Sequence, residues 1–441
     1  MENKQLHRIL IVGGGAGGLE LATKLGDSLG KKKKAEIILI DAKKTHIWKP
    51  LLHEIAAGSI NPDKDELDYL AQGFWHGFKF RLGRMDKLDR EKKEVSLEPY
   101  FDNEGNEIIS RRIFQYDTLV MSIGSTVNDF SVNGAAEFSI ALDNQNQAER
   151  FHSRLHNAIV KAQTQDSQIQ PGQLEVVIVG AGATGVELAA ELHKATREMA
   201  AYGLENIDPD KDININLIEA SPRLLPALPL RISQAVADEL KKLKVNLFLG
   251  ERVTEVTPEG IKTHKDRQIL SRLVVWAAGI KAPDFLSNIA GLETNNINQL
   301  KVKSTLQTTL DENIFAFGDC AACPVSPGAT ENVPPRAQAA HQQASLLFKT
   351  IKRVVNGKDK LPNYIYKDYG SLVNLGRYST VGNLMGSILG GTMFIEGLLA
   401  KIMYLSLYQM HLLALHGFAS TLFRFLGKLF SQRTETRVKL H

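Results

Sequence analysis

The chain has 441 residues, enough for two or three domains at roughly 100–200 residues each, and its 43% hydrophobic and 23% charged residues exclude whole-chain disorder. A formal charge of +4, from 53 basic and 49 acidic residues, is too small to argue for a nucleic-acid partner. Two cysteines make no disulfide framework and suit a reducing compartment.

The chain opens with MENKQLHRILIV, whose apolar stretch at 9–12 is too short for the core of a signal peptide. The catalytic body is therefore expected in the cytosol. No fully apolar stretch of about 20 residues precedes residue 400, so no membrane span is expected before it.

Residues 8–25 read RILIVGGGAGGLELATKL, a β-branched run, a glycine cluster and then helical spacing. The lysine run at 31–34 reads as a solvated link after that helix. A second apolar strand at 36–40 ends in Asp41, and a third, at 116–124, ends on Gly124. The same three elements then recur in the same order. Residues 175–192 read EVVIVGAGATGVELAAEL, the strand at 213–218 ends in Glu219, and LVVWAAG at 273–279 closes on Ala278 and Gly279. Two βαβ units, each with a later closing strand, imply two doubly wound α/β domains of similar design.

Beyond the second unit lies NIFAFGD at 313–319, a strand expected to return to the first domain. Pro334 and Pro335 lead into a predicted helix from Arg336, residues 362–390 read as short strands with turns, and from Ile395 the chain turns helical and apolar.

The glycine clusters carry the chemistry. Gly13, Gly15 and Gly18, within the run Gly13, Gly14, Gly15, Ala16, Gly17 and Gly18, form G-x-G-x-x-G. The first glycine permits the tight turn and the second lets backbone approach a pyrophosphate. The third lets helix pack on strand, while the helix N-terminus offers N–H donors and positive dipole. Asp41, with Ala42 after it, can accept hydrogen bonds from an adenosine ribose. Gly180, Gly182 and Gly185 with Glu219 repeat this logic. Glu219 would hold both ribose hydroxyls and repel a 2′-phosphate, favouring NADH over NADPH. It could instead cap a turn, and Arg223, four residues on, could accommodate a phosphate.

Two such sites suit one cofactor that stays and one that visits, and their order resembles that of the two-dinucleotide-binding-domain flavoproteins. The resemblance implies FAD in the first site, the nicotinamide nucleotide in the second, and Asp319 on the FAD ribityl chain. A reactive cysteine pair, as in the glutathione-reductase-like members, is absent from THIWKPLLHEIAAG at 45–58. Cys320 and Cys323 form C-x-x-C, which could be redox-active or bind a soft metal. Lacking further grouped ligands, they read as small residues in a packed turn, and no metal site is expected.

More specifically, the chain resembles the type II NADH:quinone oxidoreductases, the single-subunit respiratory enzymes, and most closely those of enterobacterial kind. The resemblance spans essentially the whole chain. It is carried by HIWKPLLHEIAAG (46–58), GAGATGVELAAELH (180–193), WAAGIKAPDF (276–285), FGDCAACP (317–324), PPRAQAAHQQA (334–344) and YKDYGSLVNLGRYSTVG (366–382).

It implies an α/β fold of two Rossmann-like, glutathione-reductase-like domains plus a C-terminal amphipathic membrane-binding region. FAD would occupy 1–165 and 286–355 and NADH 166–285, with membrane anchoring and dimerisation in 356–441. Lys49 and Pro50 would lie beside the isoalloxazine, Met85 near the adenine, and Gly124 under the pyrophosphate. Glu187 matches the family's glutamate near the flavin–nicotinamide contact; its alternative role is an acid favourable in a first helical turn. Ala337 and Gln338 would touch the flavin, and Gln338 and Gln342, one turn apart, would face the quinone headgroup. His341 projects elsewhere and reads as a bystander. Where the family often carries Lys before Gly, this chain has Tyr369 before Gly370, with Lys367 two positions earlier, which leaves a lysine contact to quinone open.

Between Lys401 and Arg424 lie 22 residues without a charge. Ser406, Gln409, His416, Ser420 and Arg424 share one sector of a helical wheel, while Tyr404, Leu407, Leu415, Phe418 and Leu422 cluster on the other side. Six basic residues and one acidic residue follow from Lys401 onward, suiting anionic headgroups. One or two interfacial helices are expected, Gly417 being a possible break; a true span and a dimer or core helix are the alternatives.

The expected reaction passes hydride from NADH to FAD and two electrons to ubiquinone or menaquinone, without proton pumping. It would take place at the cytoplasmic face of a bacterial inner membrane, on a homodimer. The rival readings are a soluble NAD(P)H reductase for ferredoxin or small oxidants, and a membrane-bound NADH-sensing scaffold whose FAD does not turn over.

Overall fold

The computed structural model describes residues 6–102, 104–376, 380–386, 391–431 and 438. By internal contacts the chain divides into two compact units: 1–48, 66–126 and 280–367 form the first, and 49–65, 127–279 and 368–441 the second.

The first unit is built on a five-stranded parallel sheet ordered Ile314–Ala316, Thr118–Met121, His7–Val12, Ala35–Asp41, Lys79–Leu82. His7–Val12 sits at the centre because its Ile9, Leu10 and Ile11 are apolar without alternation and wholly buried, as a strand covered on both faces requires. Helix Ala16–Leu25 follows and packs against helix Ala337–Val355, whose N-cap is Arg336. The late strand does return to the first sheet, pairing Leu119 with Ile314 and Met121 with Ala316.

The second unit repeats the plan. Its parallel sheet runs Ile140–Ala141, Leu273–Trp276, Glu175–Val179, Asn214–Glu219, Asn246–Leu249, with the strand that feeds the glycine loop again central. Helix Ala183–Ala201 follows that strand and packs against the short helix Leu52–Ala57. Residues 127–165 group here because Ile140–Ala141 extends this sheet and helix Gln145–Thr164 packs on Leu273–Trp276 and Leu52–Ala57.

An antiparallel meander, Gly370–Asn374, Thr380–Gly386 and Gly391–Glu396, completes the second unit together with helix Leu398–Ser431. Part of YKDYGSLVNLGRYSTVG (377–379) lies outside the described residues, as do Arg433, Arg437 and Lys439 of the basic tail.

The terminal helix is two segments, broken at Gly417 with φ 74° and ψ 174°. That break resets the helical phase, so one wheel does not hold across 404–424. Tyr404 and Leu415 are buried, whereas Leu407, Phe418 and Leu422 are exposed. A second apolar strip, Leu398, Ile402, Leu405, Met410 and Leu413, also faces outward. Among the described residues, no helix is long and apolar enough to cross a membrane.

Candidate functional site

In the first unit the three fingerprint glycines divide their work. A Cβ on Gly13 (φ 101°) would overlap the Ser122 backbone, and one on Gly18 would overlap the Gly13 carbonyl oxygen. A Cβ on Gly15 would meet nothing within 4 Å. The loop is thus closed where strand, turn and helix meet and open at its middle glycine, where a pyrophosphate would approach. Ser122 Oγ secures the turn by donating to Gly13 O at 2.8 Å. Ala16 opens the helix, and Gly17 is held to glycine by the Phe317 ring, 2.5 Å from where its Cβ would stand.

Asp41 stands at the end of the neighbouring strand. Its carboxylate accepts from Gly14 N (2.7 Å) and Lys43 N (2.8 Å), and Ala42 N–H also points to it. Burial pushes its pKa up despite these donors. Met85, buried, begins the strand just past Gly83, whose N–H donates to Asp41 O at 2.8 Å. Gly124 has φ 81° and open space where a Cβ would be. Asp319 Oδ2 accepts from Ser125 Oγ at 2.8 Å, and its carbonyl accepts from Gln299 Nε2 at 2.9 Å. The structure therefore gathers Gly13–Gly18, Asp41, Met85, Gly124 and Asp319 into one unit.

Two residues of this site were given no role by the sequence, Tyr69 outside every motif and His46 at the head of HIWKPLLHEIAAG. Tyr69 OH donates to Gly14 O at 2.8 Å, and its ring lies 2.6 Å from where a Gly14 Cβ would stand. His46 Nδ1 reaches the same oxygen at 3.0 Å. Burial lowers the His46 pKa to about 4, so the ring is neutral and must carry its proton on Nδ1 to donate to a carbonyl. Both contacts bridge distant stretches of chain, which no local pattern reveals.

The second unit reproduces the geometry atom for atom. Gly180 N donates to Ile218 O at 2.7 Å, as Gly13 N donates to Ile40 O at 2.8 Å. Ala181 N donates to Glu219 Oε2 at 2.8 Å, as Gly14 N does to Asp41. A Cβ on Gly180 would stand 2.6 Å from Ala278 Cα, one on Gly185 would overlap the Gly180 carbonyl, and one on Gly182 would meet nothing. Gly279 (φ 65°) lies beneath the exposed Phe130, whose ring occupies the position of a Cβ. Glu219 Oε1 accepts from Ser221 N at 2.8 Å. Arg223 turns its guanidinium onto the carbonyls of Leu228 (2.7 Å) and Pro226 (2.6 Å), so it closes its own loop instead of presenting a free fork to a phosphate.

Glu187 lies in the first turns of helix Ala183–Ala201 and is buried. Burial raises its pKa to about 8; Glu54 and Glu191 add to the rise, and the hydrogen bond from Asn374 N to Oε1 (3.0 Å) opposes it. The acid is therefore mostly protonated at pH 7, and because Oε1 accepts a donor, its proton belongs on Oε2. That oxygen lies 3.7 Å from His53 Nδ1. Burial holds His53 near pKa 4, hence neutral, and the ring also bonds the Pro50 carbonyl. The Lys49 ammonium is ion-paired with Asp143 at 2.6 Å. Lys49, Pro50, His53 and Glu187 thus fall in one unit. The buried Tyr404, from the terminal helix, lies in the field of Glu187, Glu54 and Glu191.

On helix Ala337–Val355, Ala337 and Gln338 lie in the first turn, half-buried. The Gln342 amide brackets Lys367, donating to its carbonyl at 2.8 Å and accepting from its N–H at 3.1 Å. Gln343, buried and within PPRAQAAHQQA but given no role by that segment, accepts from Gly318 N at 2.8 Å. His341 binds Glu20, which also holds Lys24 at 2.5 Å. Burial pushes the Glu20 pKa up, but the bonds from His341 and Lys24 bring it below its ordinary value. Cys320 and Cys323 are free and buried, their thiols pushed by burial to about 11 and about 12. Among the described residues no cluster of His, Cys, Asp or Glu could hold a metal.

Residues 7–344 match the family described as pyridine nucleotide-disulphide oxidoreductase. The chain is 42% identical to the type II NADH:quinone oxidoreductase of Haemophilus influenzae, over 99% of this chain and 100% of that one. It is 28% identical to the type II NADH:quinone oxidoreductase Ndh of Mycobacterium tuberculosis, over 94% and 86% of the two chains. The NDH2 of Plasmodium falciparum, solved in complex with NADH, superposes with a TM-score of 0.81 at 19% identity, covering 99% and 100%, which establishes likeness of fold.

Proposed function

From the premise that the chain belongs to the pyridine nucleotide-disulphide oxidoreductases, and among them to the type II NADH:quinone oxidoreductases, we propose which of its residues carry the reaction. The reaction converts NADH, a proton and a quinone into NAD+ and a quinol. FAD, when bound, supplies the capacity to accept two electrons as hydride and release them to the quinone.

The first glycine loop fits FAD. Its open middle glycine and closed flanks form a cradle that a side chain would fill. Gly13–Gly18 hold the pyrophosphate, Asp41 and Ala42 the adenosine ribose, Met85 the adenine side, Gly124 the strand end and Asp319 the ribityl chain. Ala337 and Gln338, in the same unit, bear on the isoalloxazine. In the second loop, Gly180, Gly182 and Gly185 take the NADH pyrophosphate, Glu219 its ribose, and Ala278 and Gly279, at the strand end beside Gly180, complete the NADH site. Arg223, committed to its own loop, supports NADH over NADPH. Gln338 and Gln342 face the quinone headgroup, Gln342 after exchanging its Lys367 bonds.

Glu187 is the catalytic residue of this reading, holding at Oε2 the proton that the balance requires in addition to the hydride. Its raised pKa keeps that proton in place at neutral pH, as a general acid needs. The observation that carries the whole reading is the pair of matched cradles, each open at its second glycine and closed at its third.

Terminal helix Leu398–Ser431, with its outward apolar residues, supports a peripheral hold on a membrane surface. Steady-state turnover of the full chain with NADH or NADPH and a short-chain quinone tests the assignment. Preference for NADH with quinol as product is expected; equal use of NADPH would overturn the role given to Glu219.

A further inference from the structure

The first unit exposes an aromatic face far in sequence from the terminal helix. Helix Tyr69–His76 buries Tyr69, Gln72 and Gly73 on one side and leaves Leu70 65%, Phe74 85% and Trp75 57% exposed on the other. Residues 70 and 74, one turn apart, stand over each other, and Trp75 flanks them. Side chains this apolar and this exposed, grouped on one short helix, mark a contact surface better than they mark solvent.

Lysines follow the turn on which this helix ends. The end of the helix packs on the turn at 26–30, where a Cβ on Gly26 or Gly30 would overlap the carbonyls of His76 and Gly77. His76 Nδ1 bonds Asp27 at 2.8 Å, and Lys31 Nζ pairs with the same carboxylate at 2.6 Å. Lys32, Lys33 and Lys34 follow, all exposed, and no carboxylate among the described residues pairs with them. The exposed lysine run therefore leaves directly from the turn on which the aromatic helix ends.

We propose that Leu70, Phe74, Trp75 and Lys32–Lys34 form a membrane-docking patch for an anionic lipid surface, separate in sequence from the terminal helix. The proposal rests on the membrane reading given above. Aromatic rings seek the headgroup level and lysines the anionic phosphates, so an anionic bilayer interface satisfies both residue types at once. A second copy of the chain fits less well, because a two-fold contact through this patch would bring one set of lysines toward the other. The buried side of the helix gives docking a consequence, since Tyr69 OH there holds the Gly14 carbonyl of the first glycine loop. Patch and loop are joined through one side chain.

Trp75 provides the test. Of the three tryptophans, Trp48 and Trp276 are 5% and 3% exposed. The FAD-loaded full chain is mixed with vesicles of phosphatidylglycerol and phosphatidylethanolamine with brominated acyl chains, and tryptophan emission is compared with unbrominated vesicles. Bromine quenching that vanishes in Trp75→Phe is expected. Lys32→Gln, Lys33→Gln and Lys34→Gln together should weaken vesicle binding by about tenfold, less than the full value of three lysines because the terminal helix still binds. NADH oxidation in detergent should not change in that variant.

Protein that sediments with the vesicles while Trp75 stays unquenched would overturn the patch and leave the membrane reading standing. Failure to sediment at all would overturn both. Concentration-dependent burial of Trp75 without vesicles, abolished by Phe74→Ser, would assign the face to a second copy and also overturn the proposal.

Discussion

Replacing Glu187 by Gln separates a buried proton from a buried charge. In the native protein the acid titrates near 8, against an ordinary value of 4.5. Between those values the folded state keeps a proton that the unfolded state has released, so stability falls as pH rises, at up to about 1.4 kcal/mol per pH unit. The contribution is whole below the unfolded pKa and is lost progressively up to about pH 8, above which no further loss follows. Glutamine has the shape of the protonated acid, can still accept from Asn374 N, and does not titrate.

From pH 6 to pH 8 the variant should therefore gain on the order of 2–3 kcal/mol relative to the parent, enough to move a melting temperature by a few degrees. Thermal unfolding of FAD-loaded protein at pH 6, 7, 8 and 9 reads this directly. The variant's melting temperature relative to the parent's should rise steadily from pH 6 to pH 8 and level off by pH 9. A constant difference across that range would refute the buried, protonated state. Turnover should show the reverse benefit, since the variant cannot release a proton from Oε2, and kcat with quinone should fall by about 100-fold at pH 7, within the usual reach of general acid catalysis.

The glycines give a paired prediction: Gly18→Ala should lose FAD and destabilise the chain by about 1–3 kcal/mol through overpacking, whereas Gly15→Ala should fold normally and only bind FAD more weakly. Flavin retained on gel filtration, together with melting temperature, distinguishes them. Glu219→Gln should raise KM for NADH by roughly tenfold, the value of a charge-assisted hydrogen bond, and narrow the preference over NADPH in steady-state assays. Because both thiols stay protonated, Cys320→Ser with Cys323→Ser should leave quinone turnover unchanged; loss of turnover with normal flavin content would give the pair a redox role. Glu20→Gln should cost about 1 kcal/mol at pH 7 by removing the charge that Lys24 and His341 share, Lys24 keeping Ser345 Oγ and solvent as partners, and guanidinium unfolding of the full chain would read the loss.

What the sequence displayed was local. Each glycine fingerprint, its acid and its closing strand are set by backbone rules that act within a few residues, and the two loops obey them alike. The late strand at 314–316 was legible because its apolar run and Gly-Asp ending had no place left in the second sheet. Tyr69 and Phe130 lay outside every motif, and His46 and Gln343 lay inside motif segments with their roles hidden, because the partners are far along the chain: Tyr69 meets Gly14, and Gln343 meets Gly318. His341 read as idle, yet it bonds a buried glutamate on a helix more than 300 residues away. The terminal helix misled a single wheel because Gly417 interrupts the phase on which the wheel depends.

Rapid mixing of the FAD-loaded full chain with NADH and then with a short-chain quinone, followed at the oxidised flavin band, tests the central claim most directly. Fast bleaching by NADH and not by NADPH, then fast recovery on adding quinone, is expected. Bleaching without recovery would contradict quinone as the acceptor, and no bleaching by NADH would contradict the assignment of the second glycine loop.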